Sequence, residues 1–495
     1  DNATSNAYSM MPLRLSEQTL GHAQPGTVRP GYARAACAVG WVHFGPGAFH
    51  RAHQAYYADR LLERDPRWAI SAVALHSAAV RDALAPQDYL YCLAELGPEA
   101  PVRVIGALRE ILLAAREPDA VFARLESPHT RLITLTVTEK GYCLEAGGQL
   151  DLSHPDIQHD LATPDRPRSV IGLLAEGLRR RRAGGQPPCA VVSCDNLADN
   201  GPTLRAAVSA FAARRSGELA GWIEREVAFP RTMVDSITPA TDAVLRARVA
   251  QATGLTDAWP VQRELFTQWV IEDVPQVRVA DWTSVGVQLT NDVGVYERAK
   301  LRLLNAAHST LAYVGLLRGH KTVAEAMNDA PLARLVEHLM RIDITPSLRG
   351  AAVIDIAAYI EATLGRFRNR SVRHQLEQIA WDGSKKLPVR LLPTLAEALA
   401  AGRPVERLAV PVAAWMRFIA GRAHGGGTVI DPAAEALLAL GAACDGDPGA
   451  DVARFLRLET VFPPALASAP AFARALAEAY RALGASGALS EFERA

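Results

Sequence analysis

Three polar side chains, Lys300, Asn305 and His308, lie on one predicted helix over residues 296–308. At roughly 100° per residue, an α-helix sets His308 about 80° and Asn305 about 140° round from Lys300. All three then project from one flank, with Asn305 and His308 adjacent at i,i+3. Burying an amine, an amide and an imidazole is costly unless they bond one another or a ligand. Partial burial also lowers an amine's pKa, which makes a lysine a usable general base near neutral pH. The competing reading is a solvent-facing lysine beside two satisfied core polar groups.

A second constellation is Gly45-Pro46-Gly47-Ala48-Phe49-His50, which follows an apolar run and opens a helix-like segment. In a dinucleotide fingerprint the first glycine permits the tight turn, and the second lets backbone amides approach a pyrophosphate. His50 occupies the place of the third glycine, so a simple tight turn competes with this reading. An acidic residue 20 to 30 positions on would mark ribose recognition, yet that region reads Ala74-Leu75-His76-Ser77. The choice between NAD and NADP therefore stays open, with His76 or Arg81 available to a 2′-phosphate. Tyr296 and Lys300 also form Tyr-x-x-x-Lys, the catalytic pair of short-chain dehydrogenases. That reading is rejected, because the pair lies beyond the nucleotide domain of a chain twice the usual length.

The elements that must position these residues follow from periodicity. A strand is predicted over 37–44, a helix over 50–64 and a second strand over 68–75, the opening of a parallel α/β sheet. Further buried strands are predicted over 132–137 and 190–193. A helix over 168–184 ends in Arg179 to Arg182, expected to be a solvated helix end favoured by the macrodipole. From about residue 290 the texture changes to Ala/Leu/Arg patterns at helical spacing, over 295–318, 323–340, 351–364, 391–399 and 471–483. The expectation is an α/β protein: a Rossmann-type dinucleotide-binding domain with an N-terminal extension over 1–289, then a mostly α-helical substrate and catalytic domain over 290–495.

Composition narrows the function classes. The 495 residues carry 53 Lys plus Arg against 53 Asp plus Glu, a balance that argues against a nucleic-acid partner. No 18-residue apolar stretch suggests a membrane span, and residues 1–34 do not read as a signal peptide. The six cysteines, Cys37, Cys92, Cys143, Cys189, Cys194 and Cys444, have no zinc-site spacing and read as small buried hydrophobes in a reducing compartment. A cytoplasmic protein is expected. Lysine occurs at Lys140, Lys300, Lys321, Lys385 and Lys386 alone, and arginine supplies the other basic residues.

Several of these runs together resemble the polyol-specific long-chain dehydrogenase/reductase family. They are residues 43–53, Thr136-Val137-Thr138-Glu139-Lys140-Gly141-Tyr142, Ser193-Cys194-Asp195-Asn196-Leu197 and Met233-Val234-Asp235. They continue with Gln268 to Asp273, the Lys300 segment and Asp382-Gly383-Ser384-Lys385-Lys386, in family order from about residue 40 to 390. The resemblance implies metal-independent hydride transfer to or from NAD, or NADP, that interconverts an open-chain polyol and a ketose of the mannitol/fructose type. Lys300 would be general acid/base, and Asn196 and Asn305 would donate to the alkoxide-like oxygen while His308 orients the substrate. Asp235 and Lys386 would hold substrate hydroxyls, with Glu297 and Glu139 in a proton relay, and Arg51 is a further substrate-binding candidate. Gly45, Gly47, Ala48 and Phe49 would meet the cofactor. Asp235 as a helix cap and Asn196 as a turn residue are the bland alternatives.

One departure bears on the substrate. Mannitol-oxidising relatives carry a substrate-binding arginine eight residues before the lysine matched by Lys386, and here that place is Gln378. A hexuronate substrate, of the fructuronate/mannonate type, would need a cation, for which Arg51, Arg373 and Lys385 are candidates. A non-catalytic nucleotide-binding scaffold is the alternative from another class. A monomer is expected, since no heptad or long apolar edge suggests otherwise.

Overall fold

A computed structural model describes residues 13–348, 354–490 and 492. The chain divides into two compact units, Asp1–Val293 and Gly294–Ala495. Among the described residues, no helix is long and apolar enough to cross a membrane.

The first unit is built on a five-stranded sheet of β1 (Val39–Phe44), β2 (Ala69–Ala74), β3 (Leu108–Leu113), β4 (Leu132–Leu135) and β5 (Ala190–Ser193). Its spatial order is β3-β2-β1-β4-β5 and every pairing is parallel. Parallel strands are covered on both faces, so their sequences run almost continuously apolar. Side chains still alternate: Trp41, Leu132 and Val192 enter one core, while Val42, Ile133 and Val191 enter the other. The first core is closed by aromatic packing, with Trp41 against Trp269 and Trp282 at ring-centroid distances of 5.8 and 5.7 Å. The second lies beneath the helices Pro118–Glu126, Val170–Ala183 and Asn200–Arg215.

Sequence patterning alone does not reveal β3. Its Arg109 and Glu110 break the apolar run, which an edge strand tolerates because one side lacks a strand neighbour; Glu110 is bonded by Ser71 and Arg124. The predicted helix over 50–64 is also split, into Ala48–Ala52 and Gln54–Leu62, by His53 at φ −119°, ψ −85°. The arginine run at the end of Val170–Ala183 is not wholly solvated. Arg181 is 2% exposed and donates to the carbonyls of Leu125, Ser127, Thr130 and Pro187, so it stitches three chain segments together.

Beyond the main sheet, β6 (Thr232–Asp235) runs antiparallel to β7 (Gln268–Glu272), which pairs in parallel with β8 (Gln288–Thr290). The N-terminal extension is tied down as well: Leu13–Arg14 pairs with Leu255–Thr256, and buried Arg34 donates to the carbonyls of Gly106, Leu108 and Asp88. Residues 1–12 lie outside the described residues.

The second unit is mostly helical, with Glu406–His424 at its centre, packed by Ala306–Leu317, Ala434–Ala442 and Pro470–Leu483. The predicted 323–340 helix is three pieces, Val323–Asn328, Ala330–His338 and a π-helical turn Leu339–Ile344. The predicted 351–364 helix is observed as Ile356–Arg368, and residues 351–353 lie outside the described residues.

Candidate active site

The glycine turn lies where the strand order reverses, between β1 and β4, the position at which open α/β sheets bind ligands. Gly45 has φ +93°, and a Cβ there would sit 2.1 Å from the Thr136 carbonyl oxygen, so only glycine fits. Gly47 is different: a Cβ there would meet nothing within 4 Å, and its backbone faces open space. A tight first glycine and an open second one are what close approach by a dinucleotide's pyrophosphate needs. The residues present therefore fit that group.

The turn is held from below by His43, a residue the motif reading did not single out. Its Nε2 reaches the Gly45 carbonyl at 3.1 Å and Thr136 Oγ1 at 2.9 Å, and its Nδ1 reaches Thr134 Oγ1 at 2.6 Å. A carbonyl only accepts, so Nε2 must carry the proton and Nδ1 must accept from the Thr134 hydroxyl. Trp41 Nε1 donates to that same hydroxyl oxygen at 2.6 Å. The Gly47 amide and the Thr136 hydroxyl also donate to the Gly45 carbonyl, which makes it the hub of the turn. Burial pushes the His43 pKa down to about 3, so the ring stays neutral, stacked on His50 at 3.3 Å between centroids. Phe49 stacks on His53 at 4.9 Å.

Past the end of β2, His76 and Ser77 are exposed and no carboxylate occurs from Ala74 to Arg81. The Arg81 guanidinium is paired with Asp82 at 3.0 Å and Glu117 at 3.2 Å.

The turns after β4 and β5 are bound together by Asp195. Its carboxylate accepts from the amides of Val137 (3.1 Å) and Thr138 (2.8 Å) and from the Tyr142 hydroxyl (2.6 Å). Burial raises its pKa, against the three donors. Asn196 follows on the exposed turn, and Glu139 is exposed on the short helical turn Glu139–Tyr142. Asp235 ends β6, 5% exposed and opposite Gln268, so it is a strand residue and not a helix cap. Arg51 requires a correction. It is 1% exposed, donates through Nη1 to the Trp259 carbonyl at 2.6 Å and lies over the Tyr91 and Trp259 rings, so it is a core residue and not a surface cation.

In the second unit, the Lys300 segment is not a regular α-helix. Helix Val293–Ala299 passes into a π-helical turn, Lys300–Asn305, and continues as Ala306–Leu317. A π turn closes i→i+5, so Lys300 and Asn305 lie one turn apart instead of 140° round the axis. Glu297 and Lys300 are half-buried, as is Asn305. Leu303 and Leu304 anchor the turn in the core, and Arg302 grips Glu397 with two bonds of 2.7 Å.

His308 is 7% exposed, packed against Phe367 (4.7 Å) and His374 (5.1 Å), and its Nε2 carries no hydrogen bond. Burial holds its pKa well below the ordinary value, reinforced by His374, Arg390, Arg366 and Lys386. Lys386 and Arg390 come from the helix Gly383–Arg390, which starts at Asp382 in the left-handed region (φ +58°). At Gly383 a Cβ would sit 2.5 Å from the Tyr313 hydroxyl and 2.6 Å from Trp415 Nε1, so this glycine lets the helix seat on the core. Lys386 Nζ donates to the Ile379 carbonyl at 3.1 Å; Arg390 donates to the Asn305 carbonyl (3.4 Å) and Ser309 Oγ (3.2 Å). Arg373, Gln378 and Lys385 are exposed. Arg390 and His374 escaped the sequence reading, although Arg390 follows Lys386 at the i,i+4 spacing of one helix face.

A parallel sheet with a glycine turn at its switch point, followed by a helical unit bearing a lysine-centred polar flank, defines an oxidoreductase of the dinucleotide-binding α/β class. Residues 39–283 match the mannitol dehydrogenase Rossmann domain and residues 292–484 the mannitol dehydrogenase C-terminal domain. The chain belongs to the mannitol dehydrogenase family. It is similar to the D-mannonate oxidoreductase of Escherichia coli, 40% identical over 90% of this chain and 93% of the relative. It is also similar to the polyol:NADP oxidoreductase of Gluconobacter oxydans, 37% identical over 84% of this chain and 87% of that one. Among solved structures it resembles the Pseudomonas fluorescens mannitol 2-dehydrogenase ternary complex with NAD and D-mannitol. That likeness has a TM-score of 0.82 and 39% identity, and covers 97% of this chain and all of the other.

Proposed function

We propose that this protein is an NAD(P)-dependent oxidoreductase that interconverts a secondary alcohol and a ketone on an open-chain polyol or sugar acid, with Lys300 as general acid/base. The observation that supports the reading is the π turn Lys300–Asn305, whose i→i+5 closure sets these two positions about one turn apart, with His308 three residues further on. When bound, the nicotinamide cofactor accepts the hydride on oxidation and supplies it on reduction. Lys300 Nζ takes the hydroxyl proton in the oxidative direction and returns it to the carbonyl oxygen in the reductive one. Asn305 donates its amide N–H to that oxygen as negative charge develops, the role the family resemblance also gives to Asn196. His308, neutral through burial, orients the substrate oxygen without adding charge. The family resemblance assigns Asp235 and Lys386 to substrate hydroxyls and Glu297 and Glu139 to proton transfer.

Gly45, Gly47, Ala48 and Phe49 form the cofactor turn. The absence of a carboxylate between Ala74 and Arg81 supports use of NADP as well as NAD, since no acidic side chain in that stretch claims the ribose 2′-hydroxyl. The reading includes a cytoplasmic monomer. Lys300→Ala is expected to lower turnover by about a thousandfold, with NADH affinity, measured by fluorescence titration, changed less than about threefold. Turnover unchanged in the nicotinamide absorbance assay overturns the mechanism.

A further inference from the structure

Lys386 and Arg390 are an unusual pair. They sit at i and i+4 on one helix, where like charges repel. Both are half-buried, and both bond only neutral acceptors: the Ile379 carbonyl for one, the Asn305 carbonyl and Ser309 hydroxyl for the other. No carboxylate among the described residues forms an ion pair with either. The two acidic groups nearest in effect to Lys386 are Asp382 and Asp431, and Asp431 is already bonded by the Ser384 amide and hydroxyl and the Ala433 amide. For Arg390, the Tyr313 phenol alone favours the charge. Arg366 adds to the same electropositive field around His308, while His374, whose pKa burial lowers to about 4, stays neutral. Buried charge without an opposite partner costs stability unless a ligand supplies one.

We propose that the substrate carries an anionic end group, a carboxylate, held by Arg390 and Lys386 beside His308. This rests on the reading above and narrows it from polyols at large to open-chain sugar acids. Arg390 offers the planar fork that matches a carboxylate, while Lys386 offers a point charge one helical turn earlier. A phosphate is the other anion with this chemistry, but phosphate sites characteristically add an open backbone-amide cradle. Here the helix start at Gly383 is closed by Tyr313 and Trp415, so side chains alone are available. None of Arg51, Arg373 and Lys385 belongs to this cluster.

The test compares D-mannonate, D-mannitol and D-mannitol 1-phosphate with the wild-type protein, Arg390→Ala and Arg390→Lys, using both NAD and NADP. The expected result is a kcat/KM for D-mannonate at least tenfold above that for D-mannitol. Arg390→Ala should lower the D-mannonate value by about 30-fold, mainly through KM, and the D-mannitol value far less. Arg390→Lys should recover part of the loss. A thermal midpoint within about 2 °C of wild type shows that each variant is folded. Preference for D-mannitol, or an equal loss on both substrates, overturns the proposal. A preference for the phosphate overturns the carboxylate and assigns the cluster to phosphate. If neither alcohol is oxidised but D-mannonate still binds wild type and not Arg390→Ala by calorimetry, the anion site stands and the dehydrogenase reading fails.

Discussion

Gly45 and Gly47 sit two residues apart and are glycine for different reasons. Gly45 combines φ +93° with a Cβ position 2.1 Å from a backbone oxygen, whereas Gly47 has neither constraint. Gly45→Ala therefore strains the fold itself, with left-handed backbone alone costing about 1–2 kcal/mol before the clash. Gly47→Val should leave the thermal midpoint within about 2 °C of wild type, because its side chain points into open space. The same change should raise KM for NAD or NADP at least tenfold. Melting curves and cofactor titrations separate the two effects, and a Gly47→Val protein with unaltered cofactor KM argues against the turn as the cofactor site. Of the candidate site residues, Lys300, Asn305 and His308 stand out in the sequence because they lie within nine positions of one helical segment. His43 does not, since a histidine in a strand gains meaning only once Thr134 within β4 and Thr136 just after it are known to lie opposite. Arg51 looked available because sequence shows charge and not depth.

At the scale of elements, the helix Val170–Ala183 shows how a charge run divides its work. Arg181 is buried, while Arg179, Arg180 and Arg215 converge on Glu176. Burial pushes the Glu176 carboxyl up, but these hydrogen bonds outweigh it and hold its pKa at about 2. A carboxyl whose pKa is depressed by folding contributes stability above its unfolded pKa and loses it as the pH falls toward the folded value. Glu176→Gln should thus cost about 2 kcal/mol at pH 7, allowing for solvent screening of the arginines. The gap between variant and wild type should narrow as the pH falls from about 5 towards 2, measured by denaturant unfolding across that range. A gap independent of pH points to packing and not charge. The Lys300 segment makes the complementary point. Its helical character follows from the apolar pattern, but the π turn does not, because one extra residue per turn leaves the composition of the segment unchanged.

On the scale of the whole molecule, the chain is two units with separate cores, one on each side of the Val293–Gly294 junction. A cofactor bound at the β1–β4 switch point stabilises the first unit by linkage, about 2.7 kcal/mol at a hundredfold excess over Kd. Hydrogen exchange with and without NADH should show slowing at the turn after β1, at the end of β2 and in the turns after β4 and β5. Protection confined to the helical unit contradicts that placement. The sequence by itself determined the parallel α/β opening, the change to helices near residue 290 and the two polar constellations. Each depends on local periodicity or on a steric demand met by one residue type, so it is written in neighbouring positions. The tertiary structure alone decided the edge strand Leu108–Leu113, the burial of Arg51 and Arg181, the hub beneath Gly45 and the gathering of Lys386, Arg390 and His374 around His308. Those arise from residues far apart in the chain, whose burial and charge compensation exist only after packing.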